Sequence, residues 1–488
     1  MKQVVIVGAG PAGLAAAHAA RAAGASVILL DSADELGGQF WRHLPQSRPS
    51  LREGRLHHGW KTFRQLSESL ARDPGCQIIR GAHVWAIETG DRSILHVLVG
   101  EPDGTDREHA TFTPDALILA TGAHDRTLPF PGWDLPGVFT AGATQALAKG
   151  ERLSIGDRVV VAGAGPFLLP VAQSVAATGS RVVAVLEANR MLPLMRGWLA
   201  RPWQLLGAAG KGVELAEYLS GHLRHRIPYR LGHTVIAAHG TDRVESVTTA
   251  RLDDNWAPIA GTEKTIAVDA VCVSHAFTPR LELAIAAGCD LTADRFVRVD
   301  DTQLTSVAGV YAAGEITGIG GVDLAMAEGE LAGHHAAGRV ESLPKAARRR
   351  RVFSGFAARI DAAHRIRGGW TGWLTESTIV CRCEEVEYGA LCSTATATAS
   401  QSLRSLGLST RAGLGICQGR ICGRTIEELL SAKAPGAALT DGKMSDRRPI
   451  AIPIRIGELA AIAQQPTNIP HPSDTPQGSH SGSTKGTA

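Results

Sequence analysis

The sequence lacks an excess of charge of either sign. Fifty Lys and Arg stand against 47 Asp and Glu, for a formal net charge of +3, so the balance carries no nucleic-acid or membrane-surface footprint. The one basic run, Arg348 to Arg351, reads as a solvated linker. Also missing is an uninterrupted apolar stretch of ~18 residues, the length that a spanning helix needs. No secretory pattern opens the chain, because Met1 leads directly into an apolar strand. The expectation is a cytoplasmic protein, with at most peripheral contact with the inner face of a membrane. In such a compartment the eight cysteines are thiols or metal ligands rather than structural disulfides. No acid, base or nucleophile set stands out, and His275 and the His334-His335 pair read as packed side chains.

What is present begins at once. Val4 to Val7 is a β-branched run typical of a buried parallel strand, followed by Gly8-Ala9-Gly10-Pro11-Ala12-Gly13 and an alanine-rich helix from Leu14 to Ala23. Gly24 ends that helix, and a second strand, Ser26 to Leu30, finishes in Asp31. Strand, Gly-x-Gly-x-x-Gly, helix, strand and acid is the order of a dinucleotide-binding unit. Gly8 makes the tight turn, Gly10 admits a pyrophosphate close to the backbone, and Gly13 lets helix and strand pack closely. The helix N-terminus faces the phosphates, and Asp31 suits a ribose hydroxyl.

A second unit repeats the pattern. Asp157 to Ala162 leads into Gly163-Ala164-Gly165-Pro166-Phe167-Leu168, a helix to Ala177, the strand Val182 to Leu186 and the acid Glu187. Leu168 stands where the first unit has Gly13, which argues against a normal dinucleotide site there, although Glu187 is compatible with a ribose hydroxyl. Late in the chain, Gly309-Val-Tyr-Ala-Ala-Gly314-Glu315 and Gly320-Gly321 precede a helix from Val322 to His334. This reads as a second contact with the first nucleotide. At 488 residues the chain has room for two or three domains.

Five of the cysteines lie in the C-terminal part. Cys381-Arg382-Cys383 and Cys417-Gln418-Gly419-Arg420-Ile421-Cys422 form two close pairs with thirty-three residues between them. Four thiolates so arranged suit zinc or an iron–sulfur cluster, and unliganded thiols are the remaining reading. Zinc pairs usually have two to four residues between ligands. A [2Fe–2S] cluster takes four cysteines, two on each iron. Glycines around Cys417 and Cys422 leave backbone N–H groups to bond the sulfurs. Cys392 falls outside both pairs and reads as buried.

Gly8 to Gly13, Asp31, Leu119-Ala120-Thr121-Gly122, the second glycine-rich unit and Tyr311-Ala-Ala-Gly314-Glu315 resemble the two-dinucleotide-domain flavoproteins. That resemblance covers residues 1 to 340. It implies FAD contacts for Gly8, Gly10, Pro11, Ala12, Gly13, Asp31, Gly38, Gln39, Val84, Thr121, Gly122, Gly314, Glu315 and Val322. It leaves Gly163, Gly165 and Glu187 for any second nucleotide. Glu315 stands where Asp is more usual. No Cys-x-x-Cys lies in the second unit, unlike thioredoxin-reductase-type or lipoamide-type enzymes.

The cysteine spacing resembles the bacterioferritin-associated ferredoxin-like [2Fe–2S] domain over residues 376 to 432, with Cys381, Cys383, Cys417 and Cys422 as ligands. FAD ahead of such a domain is similar to the FAD/[2Fe–2S] subunits of hydrogen cyanide synthase, opine oxidases and hydroxyproline or proline dehydrogenases. The resemblance implies an electron-transfer subunit that serves CH–NH or CH–NH2 donors through a second flavoprotein of the amino-acid-oxidase type. The same expectation includes a respiratory-type acceptor and a further small subunit. The alternatives are a stand-alone NAD(P)H-dependent flavin–iron–sulfur reductase and a redox-sensing module.

The expected fold is α/β, with two Rossmann-like dinucleotide-binding domains, the FAD domain discontinuous, and a small α-rich [2Fe–2S] domain. The expected boundaries are 1–125 and 266–345 for the FAD domain, 126–265 for the second domain and 346–375 for a linker. The cluster domain follows at 376–432, and an extension at 433–488 has a compositionally disordered tail from Pro466.

Overall fold

The computed structural model describes residues 1–45, 47–48, 53–339, 343–400, 402–433 and 450–464. It divides into two units, 1–452 and 453–488.

The chain opens with β1 (Gln3–Val7), α1 (Pro11–Ala22) and β2 (Ser26–Leu30). Pro11 starts α1 because its missing N–H costs nothing in a first turn. Short helices α2 (Glu53–Leu56) and α3 (Trp60–Arg72) precede β3 (Cys76–Ile79). An antiparallel meander of β4 (Ala82–Glu88), β5 (Ile94–Val99) and β6 (Glu108–Phe112) leaves this sheet, and β7 (Ala116–Leu119) returns to it. β1 and β7 are buried along almost their whole length, as parallel strands covered on both faces must be.

A connecting strand, β8 (Ala123–Arg126), then leads to β9 (Val138–Thr140) and α4 (Ala141–Gln145), which runs on as a π-helix over Ala146–Glu151. The second parallel motif follows: β10 (Arg158–Gly163), α5 (Leu168–Ala177) and β11 (Arg181–Glu187). Three helices, α6 (Met191–Leu199), α7 (Trp203–Leu206) and α8 (Gly210–Arg224), precede β12 (Tyr229–Leu231). A second meander, β13 (His233–His239), β14 (Ser246–Arg251) and β15 (Lys264–Ala267), returns through β16 (Ala270–Ser274). The second sheet runs β12-β11-β10-β16-β9.

β17 (Ala276–Pro279) pairs antiparallel with β8, so two strands carry the chain out of the first domain and back. After α9 (Glu282–Ala286) and β18 (Val310–Ala312), the first sheet is complete in the order β18-β7-β1-β2-β3. The FAD-type domain is thus discontinuous in sequence. α10 (Val322–Ala336) lies on α1 with small residues between them: a methyl on Gly329 or Gly333 would collide with the backbone of Ala12 or Ala16.

The stretch expected as a linker is instead helical. α11 (Pro344–His364) is followed by a 3-10 turn, Gly368–Trp373. α11 crosses α6 so closely that a methyl on Gly197 would strike Ala363. Two arginines of the basic run hold ion pairs from it, Arg349 with Glu330 at 3.2 Å and Arg350 with Asp301 at 3.0 Å. The C-terminal region comprises β19 (Ile379–Cys381), β20 (Val386–Glu387), α12 (Tyr388–Ala397), α13 (Leu403–Thr410) and α14 (Gly423–Lys433). Its core residues Val380, Leu391, Leu406 and Leu429 join those of the second domain, Phe130, Trp133 and Trp256 among them, in one hydrophobic cluster. The unit 453–488 contributes α15 (Ile456–Gln464). The tail from Pro466 lies outside the described residues. Among the described residues no helix is long and apolar enough to cross a membrane.

Candidate functional site

The first glycine motif folds as the physical chemistry of a phosphate cradle requires. Gly8 has φ +106, and a methyl there would meet the Ala120 carbonyl. A methyl on Gly13 would strike the Gly8 carbonyl, so this position sets the approach of α1 to β1. Gly10 is different: its nearest neighbour for an added methyl is the Gly38 Cα at 3.9 Å. Gly38 itself has φ +58, where a side chain is strained. Gly10 and Gly38 therefore leave an open cleft at the N-terminus of α1.

Asp31 closes the far end of β2. Its two oxygens accept the backbone N–H groups of Ala9 and Ala33, the latter at 2.8 Å. Burial pushes its carboxyl up, against those bonds and the nearby Arg280 and Arg42. A carboxylate has about four acceptor positions, so Asp31 retains capacity for a ligand hydroxyl.

The cleft belongs to a cavity of about 2920 Å³. Gly8, Gly10, Pro11, Ala12, Asp31, Gly38, Gln39, Val84, Thr121, Gly122, Gly314, Glu315, Val322 and Gly165 all line it; Gly13, Gly163 and Glu187 do not. The Thr121 hydroxyl donates to the Arg280 carbonyl at 2.8 Å. Burial raises the Glu315 carboxyl against a bond from the Gly321 N–H. These groups fit a dinucleotide lying along the first sheet: a cleft without side chains, a helix N-terminus and an acid with open acceptor positions.

The second glycine motif has the same backbone and a different acid. Glu187 is fully buried. One oxygen accepts the Asn189 N–H at 3.0 Å and its side-chain amide at 2.8 Å. The other accepts the Gly165 N–H at 2.9 Å and the Tyr229 hydroxyl at 3.5 Å, with His364 Nδ1 at 3.4 Å. Burial alone would raise this carboxyl, but His364, Gly165 and Asn189 outweigh it and hold it low. All its acceptor positions face the protein, so the expected ribose contact has no oxygen available. Leu168, the other departure from the motif, is fully buried as well.

Several residues of the cavity and its surroundings carried no sequence signal. Glu328, one face of α10, accepts the Gly314 N–H and the Thr317 hydroxyl, both at 2.8 Å. Burial pushes its carboxyl up to about 7. Lys149, in the π-helical turn, lines the cavity and is pushed down to about 8 by burial and by Arg152. His364 comes from the stretch expected as a linker. His275 is buried between Trp256 and Trp373 and pushed down to about 4 by burial, in agreement with a packed role. His335 Nδ1 bonds the Leu331 carbonyl of its own helix at 2.8 Å.

The four paired cysteines are neighbours in the fold. Cys422 neighbours both Cys381 and Cys417, and Cys417 neighbours Cys383. Cys422 is pushed up, while beside it Cys417 is pushed down to about 4 and Cys381 to about 6. Backbone N–H groups point at these sulfurs: Gly413 at 3.5 Å and Glu384 to Cys381, Gly419 and Ile421 to Cys417. Cys381 and Cys422 are buried, whereas Cys383 is exposed. Cys392 is half-buried on α12. Among the described residues no three or more His, Cys, Asp or Glu side chains are gathered closely enough to hold a metal ion. Four thiols in two close pairs are a donor set that either a four-cysteine zinc site or a [2Fe–2S] cluster takes.

This loop is held against the nucleotide cleft. Cys417 and Arg420 line the same cavity as Gly8 and Gly122. The Arg420 carbonyl bonds His124 Nε2 at 3.1 Å, two residues beyond Gly122, and its guanidinium donates to Glu282 at 2.6 Å. Ion pairs Arg126–Glu428 and Arg295–Glu427, and the Thr425 hydroxyl on the Thr127 carbonyl at 2.9 Å, fix α14 on β8 and its surroundings. Trp133 Nε1 donates to the Ile379 carbonyl at 2.6 Å.

Comparison with known proteins agrees with this geometry. Residues 2–339 match the family model described as pyridine nucleotide-disulphide oxidoreductase. An opine oxidase subunit of Rhizobium meliloti is 31% identical over 94% of this chain and 87% of its own length. Hydrogen cyanide synthase subunit HcnB of Pseudomonas aeruginosa is 32% identical over 86% of this chain and 90% of its own. The crystal structure of L-proline dehydrogenase from P. horikoshii has the same fold, with a TM-score of 0.66 at 18% identity over 94% of this chain and 79% of that one.

Proposed function

Because the chain belongs to the pyridine nucleotide-disulphide oxidoreductase family, we propose that it is the FAD- and [2Fe–2S]-carrying electron-transfer subunit of a heteromeric amine or imino-acid dehydrogenase. It is an oxidoreductase with relatives that are themselves named as subunits, of opine oxidase and of hydrogen cyanide synthase. Gly8, Gly10, Gly38, Asp31, Thr121, Gly122, Gly314 and Glu315 would hold FAD in the cleft. Cys381, Cys383, Cys417 and Cys422 would hold the cluster, with the Gly413 and Gly419 N–H groups bonded to its sulfur ligands. When bound, the flavin takes electrons in pairs and the cluster passes them singly, which is the chemistry that such a chain contributes.

The observation that carries this reading is that Cys417 and the FAD cleft share one cavity, joined by the His124–Arg420 bond. A cluster loop with a purely structural task has no need of that position. The stand-alone NAD(P)H reductase reading loses support at Glu187, whose carboxylate is engaged on all sides by the protein. Within the chain, Asp31 would orient the nucleotide, α10 would present its N-terminus to it, and the Arg295–Glu427 pair and the Arg420–Glu282 bond tie the cysteine region to the first domain.

The test is anaerobic. The purified chain is mixed with NADH, or with its amino-acid-oxidase-type partner and a panel of imino and amino acids, while the flavin absorbance is followed. Bleaching by partner and substrate together, with NADH inert, supports the proposal. Rapid bleaching by NADH alone refutes it in favour of a reductase.

A further inference from the structure

The three helices between β11 and β12 turn an apolar outer face to water. Eleven of the twenty large apolar side chains exposed in the described structure fall between Met191 and Tyr229. They are ordered. Met191, Met195 and Leu199 form a stripe at four-residue intervals along α6. Leu215, Leu219 and Leu223 form another along α8, the first of them at the edge of the cavity. Trp203 and Leu206 of α7 lie between these helices in the chain, 64% and 79% exposed. In α8 only His222 is buried. A helix with an apolar stripe left in water is a helix whose partner is absent.

The charges narrow down that partner. Arg196, Arg201, Arg224, Arg226 and Arg230 are exposed in the same stretch and form no ion pair among the described residues. Its one lysine, Lys211, is already paired with Glu214 and Asp323, both at 2.7 Å. Met, Trp, Tyr and Arg enriched while Lys is scarce is the composition of a protein–protein interface core. A second copy of this chain does not suit it, because a symmetric contact would set these arginines against each other. An acidic, partly apolar protein face does. The inner sides of the same helices, at Leu205, Lys211, Glu214 and Tyr218, line the cavity that holds the cleft and Cys417.

We propose that the outer face of α6, α7 and α8 is where the amino-acid-oxidising partner docks, through an acidic rim around an apolar centre, on the outer wall of the electron-transfer cavity. This rests on the heteromer reading above and adds the surface to it.

The test uses the full chain, co-expressed with the amino-acid-oxidase-type subunit of its own organism. Leu219→Asp with Leu223→Asp removes the apolar stripe, and Arg201→Glu with Arg224→Glu reverses the rim. All four side chains are exposed, so flavin content and melting temperature stay at the wild-type level, which serves as the folding control. Affinity for the partner, measured by titration with light scattering for stoichiometry, falls roughly a hundredfold in the first variant, as loss of a central anchor does. In the second variant the association rate falls and loses its dependence on salt.

Wild-type affinity in both variants overturns the docking surface and leaves the heteromer reading intact. Failure of the wild-type chain to bind the partner at all overturns the heteromer reading itself. Two further results overturn the assignment of this face. One is self-association of the wild type that the variants abolish. The other is binding to phosphatidylglycerol-containing vesicles that the variants abolish while partner affinity is unchanged.

Discussion

Replacing Gly10 by alanine separates cofactor binding from folding, and the two expected effects differ enough to measure. Gly10 has φ −74 and ψ −172, an extended conformation open to any residue. The added methyl has only the Gly38 Cα near it, at 3.9 Å, so the chain without cofactor accepts it unstrained. With FAD in the cleft the same methyl stands where the pyrophosphate must approach the backbone. Overpacking by one methyl costs about 1–3 kcal/mol, which raises the FAD dissociation constant roughly 5- to 150-fold.

Two comparison variants make the inference specific. In Gly13→Ala the methyl collides with the Gly8 carbonyl, α1 is pushed off β1, and stability falls whether or not FAD is present. In Gly24→Ala nothing lies within 4 Å, but φ is +85, so the cost is about 1–2 kcal/mol of left-handed strain with FAD affinity unchanged. Calorimetric FAD titration of the apo chain and thermal unfolding without FAD supply both readouts. Gly10→Ala with wild-type FAD affinity, or with the unfolding loss of Gly13→Ala, refutes the assignment of this cleft.

The remaining expectations concern the other sites. Cys381→Ser abolishes the iron–sulfur absorbance and electron paramagnetic resonance signal while flavin content stays at the wild-type level; absorbance and flavin release assays check this. Glu187→Gln lowers the melting temperature, because a buried acceptor of the Gly165 N–H and the Asn189 amide, beside His364 Nδ1, is weakened; the expected loss is ~1–3 kcal/mol by denaturant titration. His275 is held neutral by burial, pushed down to about 4, whereas in the unfolded chain it titrates near 6.5. The unfolded state thus binds the extra proton between these values. Stability from this group is intact above pH 6.5 and falls with pH by up to ~1.4 kcal/mol per unit toward pH 4. His275→Gln removes that slope, which unfolding at a series of pH values detects as the difference from wild type.

The parts legible in the sequence are those set by backbone constraint. Gly8, Gly13 and Gly38 are positions where a side chain collides or strains, so composition and spacing alone reveal the first dinucleotide motif. The strands that carry the two glycine motifs, β1 and β10, follow from their β-branched runs. The rest depends on distant neighbours. Glu187 looks equivalent to Asp31 in sequence, and only the arrival of His364, 177 positions later, shows that its carboxylate faces inward. α11 reads as a linker because four consecutive arginines resemble a solvated stretch, whereas two of them find Glu330 and Asp301. Lys149 and Glu328 acquire their character from burial, which no local pattern encodes. The apolar stripes of α6 and α8 gain their meaning only from the fold, which leaves those faces uncovered.

FAD in the cleft and a four-cysteine [2Fe–2S] cluster whose Cys417 lines the same cavity form the centre of the proposed function. The most direct test is to purify the chain anaerobically, quantify flavin, iron, zinc and acid-labile sulfide, and record the resonance spectrum after dithionite reduction. The expected result is FAD together with about two irons and two sulfides per chain, and a signal that Cys417→Ser removes without loss of flavin. Zinc in place of iron, or flavin with neither metal nor sulfide, contradicts it.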